Sequence, residues 1–106
     1  MTPREILIAA KAKIEDPERW CQGWFARDIA GHPIGSRNPG ACKWCSLGAI
    51  RVVWGPLSYE SKVLQTLAVA ALDQGFQLPE DLNDNTDHPT VMKMFDRAIE
   101  LAGEAE

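Results

Sequence analysis

A chain of 106 residues with 45% hydrophobic and 25% charged residues has room for one domain around one core, and this composition excludes disorder along its whole length. The net charge of −4 is split, +3 over residues 1–72 and −7 over residues 73–106, so the last third repels nucleic acid, and the remainder has no Lys/Arg cluster of the kind a phosphate backbone needs. No apolar run approaches the roughly 18 residues of a membrane span. Residues 1–5 show no basic-then-apolar leader, and three cysteines are too few and too odd for a disulfide scaffold, so a reduced, cytoplasmic protein with no membrane contact is expected.

Thr2-Pro3-Arg4-Glu5 is a helix start. Thr2 can cap, Pro3 has the fixed φ of a first helical residue, and Glu5 sits at capping-box spacing. Leu7, Ala10 and Ile14 recur at helical spacing beside Ile6 and Ala9. Asp16-Pro17 ends the run, because the residue before a proline avoids the helical region, and opens a short turn through Trp20 and Cys21. An aromatic run at Trp24-Phe25, a turn at Gly31 and a Pro-containing run at residues 33–34 predict a small hairpin or irregular arm over about 23–35, with Pro33 on an edge. A lone hairpin is marginal, so the arm must lie on helices.

Residues 38–53 predict a second helix, capped by Asn38, entered at Pro39 and stopped by Gly55-Pro56. On it Cys42, Cys45, Ala49, Val52 and Val53 share a face. Gly48 costs about 1 kcal/mol against alanine inside a helix, so close packing is its expected purpose. Ser58 is the expected cap of a third helix reaching about Gln74, largely buried on Val63, Leu64, Leu67, Ala68, Ala71 and Leu72. Gly75-Phe76 reads as its C-terminal stop. Residues 76–88 read as a long connection pinned by Leu78 and Leu82. The last helix starts at Asp87, His88 or Pro89, carries a stripe through Val91, Met92, Phe95, Ala98, Ile99 and Ala102, and ends at Gly103. The expected fold is mainly α, a small bundle of four main helices around residues 59–74 with the arm at 23–35, in a single domain spanning 1–106.

Several short patterns recur together: Trp20-Cys21-Gln22-Gly23, Ala26-Arg27-Asp28, Gly31-His32-Pro33-Ile34, residues 44–50, Leu82-Asn83-Asp84 and Phe95-Asp96-Arg97-Ala98-Ile99. In this order and spacing they resemble a family of small bacterial and phage proteins filed as a domain of unknown function. The resemblance covers nearly the whole chain and brings no reaction, ligand or catalytic residue with it. It implies a bacterial or phage protein and draws attention to Trp44-Cys45 and to the Asn83-Asp84…His88 segment.

Two functional readings follow. In the first, the four tryptophans, numerous for this length, form a recognition face: Trp20, Trp24 and Phe25 flank the polar arm at Arg27 and Asp28, with Trp44 and Asn83 added. The protein would then be a small binding domain acting on a protein partner or on itself. In the second, Cys42 lies near the positive end of a helix capped by Asn38, with Cys45 one turn on, and His88, beside Asn83, Asp84 and Asp87, serves as the base. A thiol, an imidazole and an orienting Asp84 are the parts of a thiol-dependent hydrolase or transferase. Against it, no oxyanion donor is visible, and buried Cys45 serves equally as a small apolar group. Cys42-x-x-Cys45 also has metal-ligand spacing, with Cys21, His32 or His88 as further ligands, but no second tight pair accompanies it. A thioredoxin-like redox role needs a preceding strand. No metal and no cofactor is assigned.

Overall fold

In the computed structural model, which describes residues 1–105, helix α1 (Pro3–Ile14) starts as the sequence dictates. Thr2 Oγ1 accepts the Glu5 amide at 3.1 Å and Glu5 returns a carboxylate oxygen to the Thr2 amide at 2.9 Å, which completes the capping box. Ile6, Leu7, Ala10 and Ile14 make its buried face. The chain then passes a single 3₁₀ turn (Pro17–Arg19), capped by Asp16.

The arm is a three-stranded antiparallel sheet rather than a hairpin. Strand β1 (Ala26–Arg27) lies between β2 (Pro33–Ile34) and β3 (Lys43–Trp44), with Ala26 opposite both Ile34 and Trp44. Pro33 is on the edge strand, where its missing N–H costs no ladder bond.

This third strand corrects the expected second helix. Residues 42–45 do not coil; the Cys42 amide donates to Arg27 O at 3.0 Å and the Cys45 amide to Phe25 O at 3.1 Å. Asn38 makes a local turn instead of a helix cap, its Oδ1 accepting the Gly40 amide at 2.8 Å. Helix α2 is therefore short (Ser46–Val53), and its N-cap is Cys45, whose sulfur accepts the Gly48 amide at 3.3 Å. Cys42 and Cys45 consequently share no helical face. Gly48 meets its expected purpose: a Cβ there would stand 1.9 Å from Phe25 O.

Helix α3 (Lys62–Leu72) is capped by Ser61, while Ser58 makes the preceding turn. It is less buried than expected, because Val63, Leu64, Leu67, Ala70 and Ala71 fill the inner face and leave Val69 and Leu72 outward. Gly75, at φ 90°, ends the helix as read, and Phe76 N–H returns to Ala71 O. The expected long connection contains a helix, α4 (Pro79–Asn85), with Pro79 at its start and Glu80 and Asp81 in its first turn, where they favour the helix dipole. Five α-helices thus replace four among the described residues. The last, α5 (His88–Ala105), runs through Gly103, where the missing side chain lets Arg4 of α1 lie close.

One apolar cluster joins α1 to α5, from Ile6 to Ala102, with Phe95, Leu64, Leu67, Leu82 and Met94 fully buried. Helix α1 packs on α2, α3 and α5 and so takes the central place expected of residues 59–74. Trp20, Phe25 and Ile34 seal the sheet onto this cluster.

Candidate functional site

The polar centre of the molecule is Asn83. It lies on α4 beside Leu82, is fully buried, and satisfies both ends of its carboxamide. Oδ1 accepts from Trp20 Nε1 at 2.8 Å, Ser46 Oγ at 2.7 Å and the Ser46 amide at 3.0 Å. Nδ2 donates to Cys21 O at 3.1 Å and to Asp84 Oδ1 at 3.0 Å. Asp84 Oδ1 also accepts the Gly23 amide at 3.0 Å, and Gln22 Nε2 donates to Asn83 O and Thr86 O. One side chain thereby ties α4 to the start of α2 and to the segment entering the sheet.

Against this knot lies a cleft of about 180 Å³ lined by Gly23, Trp24, Phe25, Cys45, Leu47, Glu80, Asn83 and Asp84. Five of these, Trp24, Phe25, Cys45, Asn83 and Asp84, are candidates picked from the sequence, and folding gathers them at one place. Trp24 is 51% exposed and meets Phe25 edge to face at 6.2 Å between ring centroids. Glu80 accepts the Tyr59 hydroxyl; burial and then this carboxylate push the Tyr59 hydroxyl's pKa upward. The cleft therefore has apolar walls on the Trp24 side and two carboxylates on the α4 side. A family model described as "Family of unknown function (DUF6197)" matches residues 1–101, which carry the whole of this arrangement. The chain belongs to that family. Nothing matches it among curated proteins or solved structures.

Of the three thiols of this family member, Cys21 and Cys45 are buried and Cys42 is partly exposed. Burial pushes the Cys45 thiol up to about 11, against a lowering by the Gly48 amide. Burial also raises the Cys21 thiol. Cys42 extends β3 on the far side of Cys45 from the helix, with its sulfur 3.7 Å from Arg27 O. His88 begins α5, and its Nε2 donates to Ile14 O at 2.8 Å. Its ring meets Trp20 edge to face at 5.6 Å. Among the described residues, no hydrogen bond joins His88 to a cysteine or to Asp84, and no group of three or more His, Cys, Asp or Glu side chains gathers to hold a metal.

Arg27 and Asp28 bind within the arm. The Arg27 guanidinium donates to Gln22 O and Gly31 O, and Asp28 Oδ1 accepts the Ala30 and His32 amides. Trp44 is buried; its indole N–H donates to Ser36 O at 3.0 Å, and Lys13 Nζ lies 4.4 Å over its ring. Sequence reasoning did not pick Ser46, Gln22 or Glu80. Ser46 left a trace, as a small residue beside Gly48 where close approach is expected. Gln22 stood only within the Trp20-Cys21-Gln22-Gly23 pattern, and Glu80 left no signal.

Proposed function

We propose that the chain is a small binding domain that recognises a polypeptide partner across Trp24 and Phe25. One observation carries this reading: Trp24, half exposed beside Phe25, stands at the mouth of the cleft that Asn83 and Cys45 floor. Tryptophan is enriched among the residues that anchor protein interfaces, and this one is open to solvent at the edge of a cleft. The Asn83 knot supports this by holding the cleft walls in one arrangement, which lowers the ordering cost of binding. Glu80 and Asp84 on the opposite wall suit a partner segment with an apolar residue followed by a basic one. The three free cysteines suit a reducing compartment such as the cytoplasm.

The second reading is a thiol-dependent hydrolase or transferase using Cys45 or Cys42 with His88 and Asp84. It has less support: the Cys45 sulfur serves as a helix cap and stays protonated at neutral pH, and Nε2 of His88 is engaged by Ile14 O.

A photo-crosslinking residue at position 24 in living cells, followed by mass spectrometry, identifies the partner; calorimetry on purified components then measures it. Trp24→Ala is expected to weaken binding at least about tenfold, and Cys42→Ser, outside the cleft, to leave it unchanged. Cross-linking only between identical chains, with concentration-dependent sizing, would make the partner a second copy. Labelling of Cys45 by a thiol-directed activity probe at neutral pH would replace the binding reading with the hydrolase one.

A further inference from the structure

On the other side of Trp24 and Phe25 lies a second cleft, of about 530 Å³, walled by these rings and Ile34 and edged by Ser36, Arg37 and Arg51. Its volume falls in the range of small-molecule sites. The two arginines are held together: Arg37 Nε and Nη2 donate to Arg51 O at 3.2 and 3.1 Å, and the Arg51 guanidinium carbon sits 5.8 Å from the Phe25 ring centroid. Among the described residues no carboxylate pairs with either, although the chain as a whole is acidic. Both arginines line this cleft, Arg37 on the main-chain carbonyl of Arg51 and Arg51 near Phe25, and no carboxylate lines it with them, so an anion seated there meets two cations and no opposing charge.

An independent observation points the same way. Ser36 is 6% exposed, and its hydroxyl oxygen is the one buried side-chain N or O atom among the described residues with no hydrogen-bond partner. Buried hydroxyls are nearly always partnered, so the Ser36 hydroxyl is free to donate to a group that enters the cleft. The backbone of Ser36 is fixed by the Trp44 indole on its carbonyl, so this orphan sits on a rigid segment next to Arg37.

We infer that this second cleft binds a small organic oxyanion, an arylacetate or an aryl phosphate monoester. The ring lies against Trp24, Phe25 and Ile34. The oxyanion takes the planar guanidinium donors of Arg37 and Arg51 and a hydrogen bond from Ser36 Oγ. The site does not depend on polypeptide recognition at the first cleft, with which it shares only Trp24 and Phe25.

The test titrates ¹⁵N-labelled full-length protein with phenylacetate, phenyl phosphate and neutral phenylacetamide, each into the millimolar range. Saturable shifts centred on residues 36, 37 and 51 are expected for at least one anion, with the amide at least about tenfold weaker. Whichever anion binds tighter identifies the natural headgroup as carboxylate or phosphate. Arg51→Ala and Ser36→Ala are each expected to weaken the tighter anion about tenfold. Ser36→Ala removes no hydrogen bond of the free protein, so its melting temperature should match or exceed that of the parent, and loss of binding then does not reflect unfolding. The inference is overturned if neither anion gives saturable shifts, if the amide binds as well as the anions, or if Ser36→Ala leaves binding intact. A marked loss of stability in Ser36→Ala overturns it too, since the hydroxyl would then be held by solvent in the free protein.

Discussion

The Trp20 indole donates to the buried carboxamide oxygen of Asn83 at 2.8 Å, a contact between residues 63 positions apart. The same oxygen accepts two bonds from Ser46, and the amide nitrogen faces Cys21 O and Asp84. Asn83→Ala strands buried donors and a carbonyl together and leaves a cavity. It is expected to cost about 3 kcal/mol. Asn83→Asp should destabilise as well, because an anionic oxygen would then face Cys21 O and the Asp84 carboxylate. Urea unfolding measures both; an unchanged midpoint in either variant refutes the knot as a stabilising element.

Gly48→Ala tests the contact between α2 and the sheet. Helix propensity alone would stabilise this change by about 1 kcal/mol. The new Cβ, however, would lie 1.9 Å from Phe25 O, a backbone atom that itself holds the Cys45 amide. The contact outweighs propensity, and a net loss of about 2 kcal/mol or more is expected. A variant with a raised melting temperature would show that the sheet moves freely relative to α2.

Thiol reactivity separates the two functional readings. Cys21 and Cys45 are buried and Cys42 is partly exposed, so native protein should label at Cys42 and take up two further equivalents only in denaturant. The Cys45 thiol sits at about 11, above its unfolded value, so its contribution to stability is complete at neutral pH and is lost as pH rises from the unfolded value through the folded one. Alkylation of native Cys45 with a midpoint well below about 8.5 would contradict this.

Acid sensitivity should come from capping carboxylates. The Thr2 amide holds Glu5 below its ordinary range, the His32 amide does so for Asp28, and the Thr90 hydroxyl does so for Asp87. Each is depressed when folded, so its stabilisation is present above the unfolded value near 4 and disappears as pH falls through the folded value. The melting temperature should therefore drop below about pH 4. In Asp87→Asn part of that drop should vanish. A profile for this variant parallel to that of the parent would exclude a contribution from the α5 cap.

Several helix starts and stops were legible in local signals, although Ser61 rather than Ser58 caps α3 and α5 runs on through Gly103. Thr2 with Glu5, Gly75 with Phe76, and the edge placement of Pro33 follow from groups within a few residues of one another. The larger errors have a cause in distance. Asn38-Pro39 is a sound helix start by itself, but Arg27 O and Phe25 O recruit the Cys42 and Cys45 amides into a strand. Helix α4 escaped notice because seven residues rich in Asp and Asn have the composition of a loop, and its stability comes from Leu82 and Asn83 in the interior.

By itself the sequence determined a mainly helical chain, the seams of α1 and α5, the need for glycine at position 48, and a set of residues from which any site would be drawn. Only the tertiary structure decided what those residues do. It placed Cys45 as a helix cap, buried Trp44, left Trp24 half open beside Phe25, and gave Asn83 partners from two distant segments. The physical reason is that a local motif sets backbone preference within a few residues. Burial, protonation and hydrogen-bond partners are set by which distant groups arrive at the same place, and periodicity carries no record of that.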